Sequence, residues 1–394
     1  MGAWMSMDEA CRLLGVRPQT IYAYVSRGKL EVAADPADTR RSLYRAEDVA
    51  GLARRKQAGR KHETVATNTL FGAEPSIPTA LCAFVRGRPC YRGRDVVELA
   101  RSAGLEDAAR LLWDTREAVD FTVTRPSRAR RAAEPGRVAA FTALAGLAAV
   151  GHSTRGRLTR VLHVEGQGLV GTLAEAFGAA PGDEALHRRF ARGWKQPDEV
   201  AELLRAAMVL LADHELTSSA FATRIAASTG ASLPACLLAG LATLSGPLHG
   251  DASGRVQALF GEVERLGEDA VLAHYLSTGS PLAGFGHHLY PDGDPRAAAL
   301  LARFDPPPVI ARFIRKVADQ TGLQPSVDVA LAALAAHHRL PADAAFGLFA
   351  TARSVGLLAH GLEQLGTAQV IRPRGRYVGP VPDAAPGGPK AGPG

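Results

Sequence analysis

Cysteine is scarce. The 394-residue chain has four, Cys11, Cys82, Cys90 and Cys236, with no CxxC pair and no grouping with histidine. That spacing excludes a disulfide scaffold and a Cys/His metal site, so no metal is expected, and it fits buried thiols in a reducing compartment. Long apolar runs are missing too. The longest uncharged apolar stretch, Val138 to Gly151, falls short of the roughly 18 residues of a spanning helix. Asp8, Glu9 and Arg12 stand where a secretory leader would be apolar. A cytoplasmic protein with no membrane partner is expected. Neither sign of charge dominates: 46 Lys and Arg face 39 Asp and Glu, a net +7, which favours anionic partners without establishing one. With 46% hydrophobic and 22% charged residues, general disorder is excluded and the length suffices for two or more domains.

What is present begins with a small N-terminal unit over residues 5–57. Ser6 and Glu9 form a capping box, satisfying each other's free backbone donors at a helix start. Ala10, Leu13 and Leu14 read as the inner face of that helix, and Pro18 opens a second helix bearing Ile21, Tyr22 and Val25. A strand pair and a third helix from about Glu47 follow. The segment from Leu13 to Gly28 resembles the winged helix-turn-helix of MerR-like regulators and excisionases, over about 50 residues. The resemblance implies that Gln19, Thr20, Tyr22 and Tyr24 lie near a DNA major groove, with Arg27, Arg40, Arg41 and Arg45 near phosphate. Residues 1–65 hold 12 Lys/Arg against 8 Asp/Glu, a surplus that permits DNA binding but does not demand it. Such a unit also serves as a docking or dimer module.

Beyond a linker at 58–67 the pattern changes. Apolar residues recur at spacings of three and four, as in Val96, Leu99, Leu105, Ala109 and Leu112, with few alternating runs. A mainly all-α body is predicted, with Arg125–Arg137 an exposed loop and the Pro- and Gly-rich residues 380–394 a disordered tail. Two histidines in this body sit on glycine turns: His249 in Gly246-Pro-Leu-His-Gly250, and His287 in Gly284-Phe-Gly-His287, followed by Asp294-Pro-Arg296. Glycine permits tight turns and close approach to a ligand. His214 follows an amphipathic helix from Asp198 to Asp213, where by itself it reads first as a core histidine. Asp328 heads an apolar helix, where by itself it reads first as an N-cap.

The chain from about 68 to 379 resembles citrate synthase. The resemblance runs through Tyr91-Arg-Gly93, Ala212-Asp-His-Glu-Leu216, Ala226-Ala-Ser-Thr-Gly230, both histidine turns, Val327-Asp328, Phe349-Ala-Thr-Ala-Arg353, Ala359-His360 and Ile371-Arg-Pro-Arg374. It implies a large helical domain at 68–224 and 331–379 and a small one at 225–330. It further implies a homodimer that condenses acetyl-CoA, as co-substrate, with oxaloacetate and water to citrate and CoA, with no permanently bound cofactor. Asp328 would take the methyl proton of acetyl-CoA, His249 would hydrogen-bond the thioester oxygen, and His287 would polarise the ketone. His214, Arg296 and Arg353 would hold oxaloacetate, and Arg372 would reach the partner subunit's site.

These residue types suit that chemistry. An ordinary carboxylate is a feeble base for a carbon acid, so a donor at the developing oxyanion must supply much of the rate. Arginine forks match a substrate with two carboxylates. Propionyl-CoA, giving 2-methylcitrate, stays open as substrate, as does a DNA-binding regulator whose synthase-like body senses a metabolite. The chain also departs from the family. Asp251-Ala-Ser253 follows the first histidine turn where a second glycine and Ala-Asn are common, Thr217 and Ser218 replace Asn-Ala, and His288 stands where arginine is common. Asp251, two residues from His249, is expected to raise that histidine's pKa or to repel an anionic substrate.

Overall fold

The computed structural model describes residues 4–14, 16, 21, 24–25, 30–35, 38, 42–50, 77–123, 136–367, 369–373 and 379. Gln19, Thr20, Tyr22, Arg27, Arg40, Arg41, the linker, most of the arginine-rich 125–137 stretch, Arg374 and the tail from Pro380 lie outside the described residues. Two compact units divide between Pro78 and Thr79.

In the first unit, β1 (Trp4–Ser6) runs straight into α1 (Met7–Leu14). The capping box forms as expected: Ser6 N donates to Glu9 Oε2 at 2.8 Å, and Glu9 N to Ser6 Oγ at 3.4 Å. With β2 (Val32–Ala34) and β3 (Ser42–Arg45) the first strand makes an antiparallel sheet of order β1-β3-β2, in which Tyr44 stands opposite Met5 and Val32. Ala10, Leu14, Ile21, Leu30, Tyr44 and Val49 form the core. Leu13, expected on the inner face, is instead 52% exposed. On an eight-residue helix the neighbouring Ala10 and Leu14, four apart, already fill the buried stripe.

The second unit opens with an antiparallel sheet, β4 (Cys82–Val85), β5 (Arg88–Tyr91) and β6 (Arg94–Asp95). Helices follow: α2 (Val96–Leu99), α3 (Leu105–Leu112), α4 (Gly136–Val150), α5 (Thr159–Ala176), α6 (Leu186–Gly193), α7 (Asp198–Leu211), α8 (Ser218–Ser228) and α9 (Leu233–Leu244). Then come α10 (Ala252–Leu266), α11 (Glu268–Thr278), α12 (Pro295–Leu301), α13 (Pro308–Thr321), α14 (Val327–His337) and α15 (Ala344–Thr367). The body is therefore mainly helical, as its periodicity predicts. Val96, Leu99, Leu105, Ala109 and Leu112 are all buried. All four cysteines are free thiols; three are buried and Cys11 is part-exposed.

Two apolar cores lie within this unit. The larger gathers residues from Leu81 to Ala359, and the smaller is drawn from α10, α11, α13 and α14, with Val256, Phe260, Phe313 and Val329 among its members. Helix α15 is long and apolar enough to cross a membrane, yet 94% of its apolar window is buried against α5, α7, α8 and α9. A helix apolar on every face is what the centre of a large bundle requires. Its closest approach is at Gly356, whose N–H donates to Ala212 O at 3.1 Å. A Cβ there would stand 2.4 Å from both that oxygen and Asp213 Oδ1. The glycine thus lets α15 lie directly on the turn that carries His214.

Gly356→Ala should destabilise the unit by about 1–3 kcal/mol, because overpacking outweighs the roughly 1 kcal/mol gained in helix propensity. A fall in the urea midpoint with an unchanged m-value is the expected reading; an unchanged or raised midpoint would contradict this packing.

Candidate active site

Asp294 organises the site. Its side chain caps α12 by accepting from Arg296 N at 2.9 Å, pairs with Arg296 Nε and Nη2 at 3.0 and 2.9 Å, and accepts from Val327 N at 3.0 Å. The sequence signal is a cap followed by proline at the first helical position, Asp294-Pro295. Both partners are buried. Burial alone would raise the Asp294 carboxyl, but Arg296 and the backbone donors hold it below its ordinary value. Burial also opposes the Arg296 cation, and Asp294 overrides it so that the guanidinium stays charged. Arg353, on α15, is buried as well; its Nε donates to Leu211 O at 2.9 Å and its guanidinium lies over the Phe349 ring. Among the described residues no carboxylate forms an ion pair with it, and burial lowers its pKa despite the field of Asp213. Arg353 is thus held in the interior by a backbone acceptor, an aromatic face and the field of Asp213 rather than by a direct ion pair.

His214 sits beside these arginines, its Nε2 2.9 Å from the hydroxyl of Tyr290. Burial first, then Arg296 and Arg353, hold it well below the ordinary histidine range, so it is neutral. Phe84 of β4 packs edge-on against both His214 and Tyr290, with centroids 5.2 and 5.8 Å away. Behind His214, Asp213 is fixed by the Tyr91 hydroxyl, which accepts from its N–H at 2.9 Å. Its Oδ1 lies 3.2 Å from His360 Nε2. The Nδ1 of His360 in turn accepts from Arg224 Nε at 3.0 Å, and Arg224 pairs with Glu363. His360 is thus a buried support of the site.

His287 and Asp328 are brought together by a short antiparallel pairing. Gly286 N donates to Gln324 O and Ser326 N to Gly284 O, each at 2.8 Å, with Phe285 bridging Pro325. Gly284 has φ +81°, and a Cβ there would meet Val256 and Val329 at 2.5 and 2.8 Å, so both backbone and space demand glycine. The His287 ring is 5.6 Å from that of His214. Its Nδ1 accepts from Leu289 N at 3.2 Å, which leaves the proton of the neutral ring on Nε2 as a donor. Burial and Arg296 push His287 down to about 4.

Asp328 is not the N-cap of α14. Ser326 is, accepting from Asp328 N at 3.3 Å and standing 3.3 Å from Asp328 Oδ2. Asp328 Oδ1 is buried with no hydrogen-bond partner. Burial pushes this carboxyl up to about 6, against the opposing pull of Arg296. A carboxylate desolvated but still ionised near neutrality is a stronger base than a solvated one.

His249 lies on the α9–α10 turn, where Gly250 N donates to Leu244 O at 2.8 Å. Its Nε2 is 2.8 Å from Ser219 Oγ, itself 3.1 Å from Thr217 Oγ1. Burial, then Arg353, push His249 down to about 4. The rise in pKa expected from Asp251 is not found: its carboxylate is turned to Arg137, with Nη2–Oδ1 at 2.6 Å and Nη1–Oδ2 at 3.2 Å. Arg137, expected in an exposed loop, belongs to α4.

Of the expected site residues, His214, His287, Arg296, Asp328 and Arg353 converge through these contacts and fields, and His249 joins them through Ser219 and Arg353. Arg372 does not. It is exposed and forms no ion pair among the described residues, and the preceding Ile371 N bonds Ser228 Oγ at 3.1 Å. Sequence reasoning missed Tyr290, Ser219 and Phe84, whose spacing along the chain carries no sign of the contact. Among the described residues no group of three or more His, Cys, Asp and Glu side chains is placed to hold a metal ion.

Residues 171–374 match the family model for the citrate synthase C-terminal domain, and residues 4–57 match a helix-turn-helix domain. The citrate synthase of Haloferax volcanii is 34% identical over 198 residues, covering 47% of this chain and 52% of that protein. Citrate synthase 2 of Bacillus subtilis is 33% identical over 197 residues, with shares of 47% and 52%. The chain spans about half the length of the curated relatives it matches. Citrate synthase from Thermoplasma acidophilum, solved with carboxymethyl coenzyme A and oxaloacetate, superposes with a TM-score of 0.67 at 21% identity, covering 80% of this chain and 97% of that one. With a family model matched across the whole segment from α5's last turns through Arg353, the chain belongs to the citrate synthase family.

Proposed function

We propose that the helical body condenses acetyl-CoA with oxaloacetate and water, releasing citrate and CoA. The observation that carries this reading is the unpartnered, buried Oδ1 of Asp328 in the field of two buried arginines, Arg296 and Arg353, which also act on three histidines that burial keeps neutral. Arg296 and Arg353, with His214, hold the two carboxylates of oxaloacetate. The His287 Nε2–H points its bond at the ketone oxygen and makes that carbon the electrophile. Asp328 removes a methyl proton from acetyl-CoA while His249 donates to the thioester oxygen, and the resulting enol carbon attacks the ketone. Hydrolysis of the thioester then frees CoA. A neutral His249 suits a hydrogen-bond donor, since an imidazolium beside Arg353 would be costly. Propionyl-CoA is the same chemistry with one more methylene.

The body acts as a homodimer in this reading. Helices α4 and α5 expose apolar side chains, Leu147 and Val150 on α4 and Val161 and Val164 on α5, which a second copy of the chain would cover. Arg372, exposed and without an ion pair among the described residues, is the arginine that this reading sends to the partner's oxaloacetate, with Arg374 as the alternative. A second reading, a regulator that senses a metabolite, is favoured by the helix-turn-helix match at 4–57. DNA contact through Gln19, Thr20, Tyr22, Arg27 and Arg41 belongs to that reading and is compatible with a working enzyme.

Oxaloacetate-dependent thiol release from acetyl-CoA should be seen with the full chain and be lost in Asp328→Ala. Absence of release with both acetyl- and propionyl-CoA would sink the enzymatic reading, and a salt-sensitive mobility shift of DNA would then favour the regulator. Because the Asp328 carboxyl is raised to about 6 and works deprotonated, kcat/KM should fall tenfold per pH unit below about 6; a limb near 4 would contradict the desolvated base. Mixing Arg372→Ala with Asp328→Ala subunits should regenerate activity, since one site of the mixed dimer has both Asp328 and the partner's arginine. No recovery on verified exchange would remove Arg372 from the site.

A further inference from the structure

The His249 turn carries a carboxylate that the catalytic scheme does not use. Asp251 follows Gly250 and begins α10, yet its side chain makes no cap bond to that helix. It is held instead by both terminal nitrogens of Arg137, and the Arg137 guanidinium lies 3.9 Å above the centroid of Phe346. Phe346 is on α15, seven positions before Arg353. The α4 start that presents Arg137 is itself fixed, because Gly136 N donates to Asp343 Oδ2 at 2.7 Å. Arg137 is thus set by an aromatic floor and a tethered helix end, which a guanidinium plane fits and an ammonium does not.

The groups facing His249 come from several elements. Ser219 on α8 meets its Nε2, Arg353 on α15 lies in its field, and Asp251 and Arg255 flank it on its own turn and helix. Of these, only Asp251 is an anion. A free carboxylate two residues from the imidazole would stabilise its protonated form and would repel negative charge developing on a thioester oxygen.

We propose that Arg137 is a positioning residue for His249: it draws the Asp251 carboxylate across to α4 and neutralises it, keeping the turn free of unpaired negative charge. The catalytic consequence rests on the role proposed for His249. The depressed His249 pKa is consistent with it, since Asp251 contributes nothing to that shift. The pair is part-exposed, so its contribution is as a local charge arrangement rather than a large share of stability.

The test follows His249 by NMR in full-length protein labelled at histidine Cε1, its resonance identified by loss in His249→Asn. Asp251→Asn should leave the His249 titration where it is in wild type. Arg137→Ala should raise it by about one pH unit, the size of one partly screened charge at this range. Arg137→Ala with Asp251→Asn should return it to the wild-type position. In thiol release, Arg137→Ala should lower kcat by about tenfold with little change in KM for oxaloacetate, and the double variant should recover it. An unmoved His249 in Arg137→Ala would overturn the proposal. So would a shift that persists in the double variant, since a mere tether is not repaired by removing the second partner. If the titrations behave as stated but wild type releases no CoA, the enzymatic reading falls and the electrostatic role of Arg137 stands.

Discussion

A guanidinium enclosed beside a single aspartate is the constraint on which the site depends. Asp294 cannot remain ionised in the interior without Arg296, and Arg296 cannot remain there without Asp294. The same carboxylate also accepts from Val327 N, so one side chain ties the start of α12 to the start of α14. That tie fixes the distance between the Arg296 guanidinium and the helix that carries Asp328. Pairs of this kind are costly as sources of stability. Here the pair has a geometric use, and Arg353 stands beside it in the interior without a direct ion pair among the described residues.

Around that constraint the site is assembled by close backbone approach. Gly356 lets α15 rest on the Asp213–His214 turn, and Gly284 lets the His287 loop pair with the residues before Asp328. The first contact lies within the larger core, and the second packs against Val256 and Val329 of the smaller one. The electrostatic consequence is uniform: burial together with the arginines keeps His214, His249 and His287 neutral, while burial lifts Asp328.

Much of this was legible in the chain because the signals are local. Apolar spacing predicted the helical body, the capping box predicted the start of α1, and glycine turns marked His249 and His287 as presented side chains. What stayed hidden depends on partners distant in sequence. Asp328, by its position alone, reads first as an N-cap, and the structure corrects this: Ser326 takes the cap and Asp328 Oδ1 is left unpaired. Asp251 looked like a threat to His249 because its partner lies 114 positions away in a stretch that reads as a loop. Tyr290 and Ser219 were passed over for the same reason, since a hydroxyl becomes a site residue only through what faces it.

The proposed function turns on whether Arg296 and Arg353 form a preorganised receptor for a dicarboxylate. Calorimetric titration of oxaloacetate into the full-length protein, with no thioester present, tests it most directly. The account predicts saturable binding to wild type, weakened at least tenfold in Arg353→Met. A flat titration for wild type, or equal affinity in the variant, would contradict it.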